Sequence, residues 1–155
     1  VSATPNHQTG RTTPLHTRGI VAMSGSFGYE LDPQKLSEAE KEEIRKQILM
    51  FRHHRDLIFY GDYYRLTNAM TDDYFTAWQF AAKDGSAALL NVVVVAPKAN
   101  PYAIHVYLKG LQPEAMYRET ESGCMYSGAA LMYGGYTLPI VLGDYPGFQC
   151  RFERI

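Results

Sequence analysis

Two hydrophobic periods divide the chain. Downstream of Ser37 the apolar residues Ile44, Ile48 and Phe51 recur every three or four positions, the spacing that lines one side of a helix. Ser37 and Glu40 form an S-x-x-E capping box before that stripe, and together they predict a helix over 37–58. Glu38 and Glu40 stand at its positive end, Arg52 and Arg55 toward its negative end, and Glu42 with Lys46 makes an exposed i,i+4 pair. An earlier helix is predicted over 13–23, where Thr12 or Thr13 caps the chain, Pro14 presets the first turn, and Leu15, Ile20 and Met23 supply buried contacts. It stops at Ser24 or Gly25, with Gly25 as the left-handed residue that ends a helix. Between the two helices Phe27, Tyr29 and Leu31 alternate with Gly28 and Glu30, which predicts a short strand over 26–31, closed by Asp32-Pro33. Residues 1–13 follow neither period and read as a loop.

After Gly61 the period falls to two and the remainder reads as β structure. Tyr74, Thr76, Trp78, Phe80 and Ala82 alternate along one strand, Asp84-Gly85 makes a tight turn, and 87–95 returns as its hairpin partner. Val92, Val93, Val94 and Val95 do not alternate, so this part of the strand is expected to be covered on both faces. Ile104, Val106 and Leu108 face one side of the next strand and His105, Tyr107 and Lys109 the other, before Gly110 and Pro113 break it. A short strand over 116–119, a mixed segment over 127–139, and a closing strand with Phe148, Cys150 and Phe152 on its buried face complete the pattern. Short antiparallel strands with regular turns predict a sandwich. The change of period divides the chain into 1–60 and 61–155.

Composition adds exclusions. With 15 basic and 16 acidic residues the net charge is −1, so there is no basic field to gather nucleic acid or anionic lipid, and neither partner is expected. No apolar run approaches the roughly 20 residues that span a bilayer; the longest extends from Leu89 to Ala96. The polar start does not resemble a signal peptide. Cys124 and Cys150 lie far apart without a CxxC spacing and are expected to be reduced, buried thiols; His53-His54, being adjacent, is expected to be a solvated helix end rather than a metal pair. No metal or other cofactor is expected.

The motifs carry more. Pro5-Asn6-His7-Gln8-Thr9-Gly10-Arg11 followed by Thr12-Thr13-Pro14-Leu15-His16-Thr17-Arg18 resembles the PNHQ-x-x-R-x-T-x-L-x-T-R stretch of family 36 α-galactosidases. The likeness continues through Val21-Ala22-Met23 and Gly25-Ser26-Phe27-Gly28-Tyr29-Glu30-Leu31-Asp32, then Tyr60-Gly61-Asp62-Tyr63-Tyr64-Arg65-Leu66, Leu108-Lys109-Gly110-Leu111, and Tyr126-Ser127-Gly128 to Leu138-Pro139. The resemblance implies the C-terminal segment of a (β/α)₈ catalytic barrel over 1–60 and the family's antiparallel β-sandwich over 61–155. It further implies a cytoplasmic, homo-oligomeric enzyme that removes terminal α-linked galactose from oligosaccharides of the raffinose and melibiose kind. The chain is expected to begin partway through that enzyme.

Glycoside hydrolysis with retention needs two carboxyl groups flanking one bond. In this family both are aspartates on earlier barrel strands, so the resemblance places them upstream of Val1 and no catalytic residue is carried over. Asp72 and Asp73 are neighbours in an extended segment, point to opposite faces, and read as a solvated strand entrance. Glu30 and Asp32 share a face at the C-terminal end of the predicted strand, with a structural role in the following loop preferred over substrate contact. Asn6, His7 and Arg11 lie on a loop that the resemblance puts at the catalytic face, where their polarity suits recognition of sugar hydroxyls; the competing reading has the loop bonding to itself. Two non-catalytic readings of the sandwich stand beside this one: a carbohydrate-binding module using Tyr102, Tyr107 or Tyr136 as stacking platforms, and a purely structural or subunit-contact domain.

Overall fold

The computed structural model describes residues 1–68, 70–72, 74–97, 99–100 and 102–155. Two helices, α1 (Leu15–Ala22) and α2 (Glu38–Tyr60), precede eight strands: β1 (Asp62–Arg65), β2 (Phe75–Ala81), β3 (Ala87–Val94), β4 (Ile104–Val106), β5 (Met116–Glu119), β6 (Met125–Ser127), β7 (Tyr136–Leu138) and β8 (Gly147–Arg154). A 3₁₀ turn at Pro33–Lys35 and a π-helical turn at Ala130–Gly134 interrupt the series.

The strands form a six-stranded sheet in the order β1-β2-β3-β8-β5-β6 and a two-stranded sheet of β4 and β7, with every pairing antiparallel. One face of the large sheet packs on the small one. Ala77, Ala81, Leu90, Val92 and Phe152 meet Ile104, Val106, Leu108 and Leu138 in a single apolar core. The opposite face carries Trp78, Phe80, Leu89 and Val93 and is covered by Ile20 and Met23 from α1 and Leu57 and Ile58 from α2. This second cover explains why β3 is buried along its whole length: a central strand packed on both sides has no solvent-facing side, and its one polar residue, Asn91, is bonded by Gln149. Val92, Val93 and Val94 follow that expectation, whereas Val95 lies beyond the strand and is exposed. The predicted hairpin is present, with Gly85 at φ +67°, a conformation that L side chains resist, and the Ser86 N–H donating to Asp84 Oδ1 at 2.9 Å.

The helical half departs from expectation at several points. α1 begins at Leu15 after Pro14, with no side-chain cap from Thr12 or Thr13, and Gly25 does not take a positive φ. Instead the Met23 N–H bonds Gly19 O at 2.9 Å and the Ser24 N–H bonds Val21 O at 3.2 Å, so the last turn closes without a left-handed residue. The capping box on α2 is formed as predicted. Its exposed pairs, however, are Lys41 with Glu38 and Arg45 with Glu42, both i,i+3, rather than Glu42 with Lys46.

The buried stripe of α2 is Gln47, His54, Leu57 and Ile58, while Ile44, Ile48 and Phe51 are half-buried. Polar residues enter that stripe because each has a partner. Gln47 donates to Leu15 O at 3.1 Å and Glu43 Oε1 at 2.9 Å and accepts from Tyr29 Oη at 2.8 Å, beneath Gly19, where an added Cβ would lie 2.4 Å from Gln47 Cδ. His54 accepts at Nδ1 from Arg151 Nη1 at 3.3 Å and is not a solvated helix end; burial and the nearby Arg151 charge lower its pKa to about 4.

Residues 26–31 do not form a strand. A strand exists through its neighbours' backbone bonds, and here only Glu30 bridges, in parallel, to Ser2, with the Glu30 N–H donating to Val1 O at 2.9 Å. The alternation still sets side-chain direction: the Phe27 ring lies 5.0 Å from Phe51 and 5.2 Å from Tyr29. Of the two cysteines, both free, Cys124 is exposed rather than buried, because it sits in the turn between β5 and β6. Asp73 lies outside the described residues.

Candidate functional site

The polar loop of residues 2–13 is built around Asn6. Its Oδ1 accepts from the backbone N–H groups of Gln8 and Thr9, both at 3.0 Å, and from Thr9 Oγ1 at 3.2 Å. The Asn6 N–H reaches Arg11 O and the Gly10 N–H reaches Asn6 O, each at 2.8 Å, with Gly10 at φ +68°. An Asn side chain bonding backbone two and three residues on is the usual way a short loop closes on itself. His7 is exposed on its outer side.

Arg11 lies along a cleft of about 260 Å³ together with Ser2, Thr4, Asn6, Thr13 and Arg18. It forms no ion pair among the described residues. A second cleft of about 190 Å³ shares Ala3, Thr4 and Arg18 with the first and extends to Leu31, Asp32, Lys35 and Glu40. The structure thus brings Asn6 and Arg11 to one of two adjoining clefts and Asp32 to the other. Asp32 accepts the Gln34 N–H at 3.0 Å and lies 3.8 Å from Lys35 Nζ, fixing the loop that follows. The Ser2–Glu30 bridge, parallel as adjacent barrel strands are, sets both segments running the same way, with the loop and Asp32 at their downstream ends.

The sandwich offers less. A cleft of about 580 Å³ opens between α2 and β8, yet its groups already serve the fold. Glu43 takes bonds from His16 and Gln47, Glu119 accepts the Glu121 and Ser122 N–H groups at 2.9 and 2.7 Å, and Tyr136 pairs with the Cys150 thiol, which burial pushes up to about 11. Tyr136 is therefore no stacking platform; its ring packs 5.0 Å from Phe152 in the core. Tyr102 and Tyr107 are exposed, but the Tyr102 ring already packs, tilted, against Tyr74 at 5.2 Å. No group of three or more potential metal ligands occurs among the described residues.

Two residues that hold the helices and the loop together stand out only in the structure. Gln47 ties α2 to Leu15 of α1 and to Tyr29, and Arg18, in sequence one letter of a motif, bonds the loop. Only the contact of α1 with α2 and with the loop reveals their work.

Comparison with known proteins agrees with this geometry. Residues 1–61 match the family described as Melibiase, and residues 75–152 match the glycosyl hydrolase family 36 C-terminal domain. The chain belongs to glycosyl hydrolase family 36, and its short helical part followed by antiparallel sheets matches the C-terminal region of that family's enzymes. Over all 155 residues it is 46% identical to the bifunctional alpha-galactosidase/sucrose kinase AgaSK of Mediterraneibacter gnavus, covering 16% of that protein, and 41% identical to alpha-galactosidase AgaA of Geobacillus stearothermophilus, covering 21%. Among solved structures it matches the galactosidase domain of AgaSK with a TM-score of 0.97 at 46% identity, covering all of this chain and 21% of that one. A variant of AgaA solved in complex with raffinose matches with a TM-score of 0.95 at 39% identity, over all of this chain and 21% of that one. The chain spans about a fifth of the length of the relatives it matches.

Proposed function

We propose that this chain is the C-terminal, non-catalytic part of a retaining α-galactosidase that removes terminal α-linked galactose from raffinose- and melibiose-type oligosaccharides. Residues 1–60 end the catalytic barrel and 61–155 form the sandwich that braces it. The observation that carries this reading is the parallel Ser2–Glu30 bridge, with a polar loop and an aspartate beyond it, since barrel enzymes build their sites at the downstream ends of parallel strands. The raffinose complex of the related enzyme supports the substrate class.

On this reading the two catalytic aspartates come from polypeptide upstream of Val1, and no cofactor is used. Arg11 is the group best disposed toward the sugar, with His7 exposed on the same loop and Asn6 holding the loop in shape. The enzyme is cytoplasmic and homo-oligomeric; the two free thiols of this chain accord with a reducing compartment, and the exposed Leu49, Phe59 and Tyr60 on α2 supply apolar surface for the rest of the enzyme or another subunit.

Hydrolysis of an aryl α-galactoside tests the division of labour. The chain alone releases no product above background, and the same chain continuous with its upstream polypeptide does. Turnover by the chain alone that survives repurification contradicts the proposal.

A further inference from the structure

We infer that Arg18 is a positioning residue for galactoside binding, a single guanidinium that holds both feet of the 2–13 loop against α1; the inference rests on the proposed function. Arg18 Nε donates to Thr13 O at 2.9 Å, where the loop enters the helix, and Nη1 donates to Ser2 O, where the loop leaves the parallel bridge to Glu30. The loop between these feet closes on itself through Asn6, so its shape is internal but its placement is not. Arg18 is half-buried and supplies that placement from a helix, a rigid element, rather than from another loop.

Its chemistry suits the task. A planar guanidinium offers five donors in a fixed fork and can meet two carbonyls whose directions differ, whereas an ammonium on a flexible stem is a point donor. Arg18 forms no ion pair within bonding distance among the described residues; Glu40 acts on it only through space. The donors it uses, Nε and Nη1, both go to backbone oxygens. It also lines both clefts of the site, so the two surfaces, one bearing Arg11 and the other Asp32, are in register only while Arg18 holds the strip of chain between them.

The test uses the full-length enzyme with Arg18→Ala and Arg18→Lys, read by hydrogen exchange and by steady-state kinetics on melibiose. Arg18→Ala is expected to speed exchange of the amides between residues 2 and 13 and to raise KM about tenfold, while kcat stays within about threefold. Arg18→Lys is expected to recover less than half of that loss on a logarithmic scale, and it keeps the test open should the alanine variant not fold. Unchanged exchange in the loop overturns the clamp. Faster exchange with an unchanged KM overturns the positioning role and leaves Arg18 a purely structural tie. A wild-type enzyme that binds and hydrolyses no galactoside defeats the proposed function instead, an outcome distinguishable because the exchange experiment still reads the clamp.

Discussion

The two faces of the six-stranded sheet solve the same burial problem differently. Toward the small sheet, apolar side chains from both layers meet directly and the polar exceptions are few: Gln79 bonds the backbone of Lys109 at both N–H and C=O, and Tyr117 donates its hydroxyl to Gly85 O at 2.6 Å. Toward the helices, a smaller apolar patch is supplemented by polar ties, Trp78 Nε1 to Ser24 Oγ at 2.8 Å, Arg151 to His54, and Gln47 between the helices. The first face makes a self-contained core. The second makes a junction that specifies how the helices dock, and the far side of α2 leaves Leu49 63% and Tyr60 74% exposed.

The largest effect that sharpens this contrast is expected at Phe152, fully buried between the sheets. Phe152→Ala should cost about 3–5 kcal/mol in denaturant unfolding. The junction is expected to respond to pH instead. In the folded state His54 has its pKa lowered from 6.5 to about 4, chiefly by burial, so the unfolded chain binds the proton first as pH falls. Its contribution is complete above pH 6.5 and is lost progressively down to about 4, on the order of 3 kcal/mol in all. His54→Gln should flatten that part of the stability–pH curve; an equally steep variant would place the titration elsewhere. At the small end, Leu49→Ala should change the stability of this chain by no more than about 0.5 kcal/mol. A loss comparable to that at Phe152 would mean the outer side of α2 is already packed.

How much of this was legible before the structure depended on where the partners lay. β5 over Met116–Glu119, the β2–β3 hairpin and the capping box of α2 are local patterns, and they appear as read. Residues 26–31 misled because alternation fixes side-chain direction but not backbone pairing, and only Glu30 finds a bridge. His54 misled because polarity normally marks solvent, and it is buried against Arg151, 97 residues away in sequence; Gln47, which bonds Leu15 across 32 residues, carries no local signal of its burial. In the candidate site, the identity of Asn6, His7 and Arg11 could be read from the motif, but the saturation of Asn6 Oδ1 by its own loop and the commitment of Arg18 could not.

The central claim is that this chain shapes a galactoside site without supplying its catalytic carboxylates. Glu30 and Asp32 are the acids it brings to the downstream end of the parallel bridge, so the most direct measurement is kcat of the full-length enzyme carrying Glu30→Gln and, separately, Asp32→Asn, on an aryl α-galactoside. Each is predicted to retain kcat within about tenfold of wild type, since loss of a catalytic carboxylate is a transition-state effect and loss of a loop contact is not. A fall of about a thousandfold or more in either, with the fold intact, would make that residue catalytic and contradict the account.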